Sequence, residues 1–105
     1  MNKIEQAVIY NKILGSLACA GMGDALGAAT ELYSIDEIKT QWGGFLNAFV
    51  SPPADTFAGS LNGVAGLITD DSSQMYVFSE GLIEAGFDNF TNNDWLACLL
   101  RWADM

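Results

Sequence analysis

Apolar positions along the first quarter of the chain recur at the spacing of a helix. Ile4, Val8, Leu14, Leu17, Ala18, Met22 and Ala25 fall at roughly helical intervals from Lys3 to about Gly27, which predicts one long helix or two abutting ones. The second half of this segment is dense in small residues: Gly15, Ser16, Ala18, Cys19, Ala20, Gly21, Gly23, Ala25 and Gly27. Glycine costs up to about 1 kcal/mol against alanine inside a helix, so these glycines predict close packing or site geometry around the backbone. Ser34-Ile35-Asp36-Glu37 has the form of a capping box and predicts a short helix to Trp42, stopped by Gly43-Gly44. Phe45 to Leu67 keeps no sustained period and carries Pro52-Pro53, Gly59, Gly63 and Gly66, so it reads as a long irregular connection. Such a length without its own structure is uncommon in a compact domain unless it serves function, which favours a substrate-lining loop.

Beyond the loop, Met75, Phe78, Leu82, Ile83 and Ala85 mark a helix face that Gly86 is expected to end, with Met75 and Phe78 as ordinary core positions. Thr91-Asn92-Asn93-Asp94 resembles a second capping box and opens a helix through Trp95, Leu96, Cys98, Leu99, Leu100 and Trp102. That helix is apolar nearly all round and expects burial on several sides. Strand-like alternation is absent, so the fold class is all-α.

A chain of 105 residues normally makes one domain, and its 50% hydrophobic content provides ample core material. Four Lys and Arg against thirteen Asp and Glu give a formal charge of −9. Nucleic acids and anionic membranes require clustered cations, so neither is an expected partner. The apolar run from Ile13 to Met22 is too short to span a bilayer and meets Gly23 and Asp24 directly; no basic region with a cleavage-like end accompanies it. A cytoplasmic protein is expected, with Cys19 and Cys98 as buried thiols.

Candidate chemistry centres on Thr69-Asp70-Asp71-Ser72-Ser73-Gln74-Met75, where a loop turns into a helix. Two readings stand for Thr69, Asp70 and Asp71. Thr or Asp before an apolar run is a common N-cap, and acids in a first turn complement the helix dipole. A hydroxyl beside two carboxylates is also a hard donor set of the kind magnesium, manganese or calcium prefers. The chain has no histidine, and its two cysteines are far apart in sequence, so a metal here would be bound through oxygen. Gly21-Met22-Gly23-Asp24-Ala25-Leu26-Gly27 invites comparison with nucleotide loops but fails it. The third glycine falls one residue late, no strand precedes it and no Gly-Lys-Ser/Thr follows.

The ordered set of Gly15 to Gly27, then Ala29-Thr30-Glu31-Leu32, then Thr69 to Met75 resembles the opening of the ADP-ribosylglycohydrolase family, which includes dinitrogenase reductase-activating glycohydrolase. Trp95 to Trp102 is similar to that family's next helix, so the resemblance covers nearly the whole chain. It implies the N-terminal portion of an orthogonal all-α bundle around two divalent ions, Mg2+ with Mn2+ as the alternative. Thr69, Asp70 and Asp71 would then be metal ligands. Glu31 matches the family's mobile acidic residue, and with Asp70 and Asp71 it is assigned to catalysis. Asp24 matches an aspartate of the glycine-rich helix, for which an orienting role is preferred over a cap or a surface charge.

Three departures from the family pattern stand out. Ser72 occupies a position usually held by threonine, Ile68 one often aromatic, and the downstream Asp-x-Asp-Ser/Thr cluster has no counterpart, because Asp88, Asp94 and Asp104 are isolated. Residues 1–105 therefore read as the N-terminal part of one incomplete domain that lacks a C-terminal half. The activity implied is hydrolysis of the bond linking ADP-ribose to a protein or small molecule, with this chain inactive alone. The alternatives are a crystallin-like structural protein and a non-catalytic ADP-ribose-binding module.

Overall fold

The computed structural model describes residues 1–60 and 63–105, apart from the side chains of Phe57 and Ser60. Among these residues the chain is helical, with no strand, as an all-α class requires. The helices are α1 (Lys3–Gly27), α2 (Ile35–Trp42), α3 (Phe57–Ser60), α4 (Asp70–Ala85) and α5 (Asn92–Ala103), with a 3-10 turn at Phe87–Asn89. The chain forms two compact units, Met1–Thr69 and Asp70–Met105.

In the first unit, α1 is a single continuous helix. Asn2 caps it, its side-chain oxygen accepting from the Ile4 and Glu5 amides at 3.0 and 2.9 Å while Glu5 returns a carboxylate to the Asn2 amide at 2.8 Å. This reciprocal box satisfies amides that have no partner within the helix. The apolar residues of α1 lie all round its axis, and most remain uncovered: Ile4 is 77% exposed and Ile13 56%. Burial is confined to its C-terminal end and the turn beyond, at Gly21, Ala25, Ala28 and Ala29. The close approach expected at the glycines is not found at Gly15, Gly23 or Gly27, where an added Cβ would meet nothing within 4 Å; Gly21 is buried. Cys19, expected to be a buried thiol, is exposed, because it lies on this uncovered stretch.

Helix α2 begins and ends where the sequence places it. The Ser34 hydroxyl accepts from the Glu37 amide at 3.3 Å, and the Glu37 carboxylate accepts from the Ser34 amide and hydroxyl, each at 2.7 Å. Gly43 stops the helix in the left-handed region at φ 76°, a conformation glycine adopts without a Cβ penalty. Tyr33 and Trp42 hold their ring centroids 5.7 Å apart.

The connection from Phe45 to Leu67 is not wholly irregular, and its residues 61 and 62 lie outside the described chain. It contains the one-turn α3, opened by Thr56, whose hydroxyl donates to the Pro53 carbonyl at 2.6 Å and accepts from the Gly59 amide at 3.2 Å. A four-residue helix offers too few positions for a period to show. Among the aromatics of this connection, Phe45 is 99% exposed, Phe49 lies against Gly66, and the side chain of Phe57 is outside the described residues.

The second unit is a helical hairpin, α4 against α5. Its helices meet through Gly81 and Cys98, through the Phe78 and Trp95 rings at 3.8 Å between centroids, and through Arg101, which reaches Glu80 at 2.6 Å and Glu84 at 3.3 Å. A Cβ on Gly81 would collide with the Cys98 sulfur, so glycine is what lets the helices approach there. Gly86 ends α4, and Thr91 and Asp94 form the expected capping box on α5. Cys98 is buried as expected. The multi-sided burial expected for α5 is absent, however: Trp95, Leu96 and Leu100 are more than half exposed, because α4 covers one face only. Ile83, on the apolar face read for α4, is likewise 81% exposed, and Val77 and Gly81 are buried.

Candidate metal centre

Asp24 and Thr69, 45 residues apart in sequence, are joined by two hydrogen bonds. The Thr69 amide donates to Asp24 Oδ2 at 2.8 Å and the Thr69 hydroxyl donates to Oδ1 at 2.5 Å. Both bonds are to a carboxylate, the stronger class of hydrogen bond, and both are partly shielded from water. A hydroxyl that has committed its proton to one side keeps its lone pairs on the other. Thr69 is therefore held with its oxygen in one orientation at the residue preceding α4.

Asp70 and Asp71 follow as the first two residues of α4, both exposed. Ser72, next in line, is buried at 3% exposure, which fixes the helix rotation at this turn. Ser73 donates its hydroxyl to the Asp70 carbonyl at 3.2 Å and accepts the indole N–H of Trp102 at 2.9 Å. The first turn of α4 is thus tied to α5 within its own unit.

Glu31 stands exposed in the turn after α1. That turn is closed by Thr30, whose amide and hydroxyl both donate to the Gly27 carbonyl at 2.9 and 3.1 Å, and by the Tyr33 amide donating to the Thr30 carbonyl at 3.0 Å. Its neighbour Leu32 adopts φ 66°, a left-handed conformation that costs a non-glycine residue about 1 to 2 kcal/mol. Strain of this kind tends to gather at functional turns, and Leu32 is the described non-glycine residue that carries it.

Grooves among the described residues lie outside this set. One in the first unit, 460 Å³, is lined by Tyr33, Asp36, Glu37, Thr40, Gln41 and Asp55. Burial, then the charges of Asp55 and Glu37, raise the Tyr33 phenol above its ordinary range, keeping it a neutral donor. Another, 290 Å³, runs along the hairpin beside Gly81, Cys98 and Arg101. Neither was visible in the sequence, because each is assembled from side chains whose proximity depends on tertiary packing.

The fit to a divalent ion rests on donor chemistry. Thr69, Asp70 and Asp71 offer only oxygen, the preference of Mg2+ and Mn2+. No group of three or more His, Cys, Asp or Glu side chains among the described residues is arranged to hold a metal ion. The triplet brings two carboxylates to such a count, its third donor being a hydroxyl. No helix among the described residues is long and apolar enough to cross a membrane.

A family model described as ADP-ribosylglycohydrolase matches residues 5–105. Comparison with curated proteins and with solved structures gave no match.

Proposed function

The chain belongs to the ADP-ribosylglycohydrolase family, and from that premise we propose that it supplies part of a divalent-metal site for hydrolysing the bond between ADP-ribose and an acceptor. Thr69, Asp70 and Asp71 are its ligands in this reading. The observation that carries it is the pair of hydrogen bonds from Thr69 to Asp24: a ligand hydroxyl whose proton is held by a carboxylate presents its lone pairs in a fixed direction.

Bound Mg2+ or Mn2+ would fix the ribose hydroxyls and polarise a water. The reaction breaks the bond between the anomeric carbon and the acceptor atom, delivers the water's hydroxyl to the carbon and a proton to the departing acceptor. Positive charge develops on the sugar ring in the transition state, so the carboxylates of Asp70 and Asp71 favour it electrostatically. Glu31 is assigned to orienting the water or moving its proton; its exposure in a short turn leaves it free to approach a substrate.

Three protein donors leave two hard ions, which each take about six oxygens, largely uncoordinated. The remaining ligands are assigned to further sequence of the family domain, and the 105-residue chain is expected to be inactive by itself. The test uses the protein at its full encoded length, incubated with an ADP-ribosylated protein. Free ADP-ribose is expected, with turnover lost in Glu31→Gln. Binding without release would replace hydrolysis by recognition alone, and turnover unchanged in Glu31→Gln would remove Glu31 from the mechanism.

A further inference from the structure

The indole of Trp102 is tied into the start of α4, and the tie leads to the residues proposed as ligands. Trp102 Nε1 donates to Ser73 Oγ at 2.9 Å, and Ser73 Oγ donates to the backbone carbonyl of Asp70 at 3.2 Å. All three residues lie in the second unit. Ser73 uses its hydroxyl as donor and acceptor at once, so each bond polarises the other. A serine in the fourth position of a helix can turn its side chain back to the local backbone or out to water. Here Trp102, which spans 29 residues of sequence to reach it, holds the hydroxyl in one of those states.

We propose that Trp102 and Ser73 are positioning residues that set the carboxylates of Asp70 and Asp71 by fixing the backbone of the first turn of α4. This rests on the metal reading above and adds to it a second support. Thr69 is held from one side by Asp24, while the turn that carries the two aspartates is held through its backbone by an indole. Trp102 touches neither ion nor substrate in this account. The hairpin has other contacts to keep it folded, namely Gly81 against Cys98 and Arg101 with Glu80 and Glu84. Loss of one polar bridge should therefore affect the ligands more than the fold.

Mg2+ affinity, read by calorimetry on the protein at its full encoded length, tests this alongside the thermal midpoint of the same samples. Ser73→Ala removes both bonds, Trp102→Phe removes the indole donor, and Ser73→Thr retains a hydroxyl at the position. The expected result is affinity weakened about 10-fold in Ser73→Ala and Trp102→Phe, and restored in Ser73→Thr. Ser73→Ala serves if Trp102→Phe fails to fold. Unchanged affinity in Ser73→Ala, whatever its thermal midpoint, overturns the positioning role while leaving the metal reading intact. No saturable Mg2+ binding by the unsubstituted protein at that length overturns the metal reading, and the positioning role with it.

Discussion

Both units leave large apolar side chains exposed, but they differ in what their helices pack against. In the hairpin of α4 and α5, a glycine meets a cysteine, two aromatic rings stack, and an arginine bridges two glutamates on the facing helix. In the first unit, α1 carries apolar residues on every side and leaves most of them in water, while burial is limited to small residues near its C-terminus. A helix apolar all round is suited to burial on several sides. The difference shows that hydrophobic content sets what a helix is able to bury, while the neighbours available decide what it does bury. The Asp24–Thr69 bonds lie at the buried end of α1, away from its exposed apolar length.

Substitutions should widen or erase that contrast, beginning in the hairpin. Gly81→Leu drives a side chain into Cys98 and is expected to destabilise the second unit by about 3 kcal/mol, read as a lower urea midpoint. Asp24→Ala deprives Thr69 of both acceptors and is expected to cost about 2 kcal/mol by the same measurement.

Acidification should act at the helix starts of both units. Hydrogen bonds from the Ser34 hydroxyl and then its amide hold the Glu37 carboxyl below the ordinary range, and Thr91 does the same for Asp94. Carboxyls with lowered folded values stabilise above their unfolded range, and that contribution fades as pH falls through the folded values. Circular dichroism in acid should show helix loss that Glu37→Gln and Asp94→Asn reduce. The smallest effect belongs to the open length of α1: Ile13→Gln should change stability by less than about 0.5 kcal/mol, and a larger loss would mean that this face is covered in solution.

Much of the helical plan was legible because its signals are local. The boxes at Ser34–Glu37 and Thr91–Asp94 operate three residues apart, and Gly43 and Gly86 stop their helices by backbone conformation alone. Asn2–Glu5 carries the same signal and could have been read the same way. The failures share a cause. Burial of Cys19 and of the apolar faces of α5 was inferred from residue type, yet it depends on which neighbours the fold supplies. At the candidate site, residue types pointed to Thr69, Asp70 and Asp71, and family resemblance to Glu31 and Asp24. The bond from Thr69 to Asp24 and the bridge from Trp102 to Ser73 span 45 and 29 residues, beyond the reach of any local pattern.

The account depends most on where a divalent ion sits. Crystals of the protein at its full encoded length, grown with Mn2+ and measured at its absorption edge, would locate it by anomalous scattering. The account predicts a peak within coordination distance of Thr69 Oγ1 and a carboxylate oxygen of Asp70 or Asp71, with Asp24 still bonded to Thr69. A peak elsewhere, or none with Mn2+ in large excess, would contradict it.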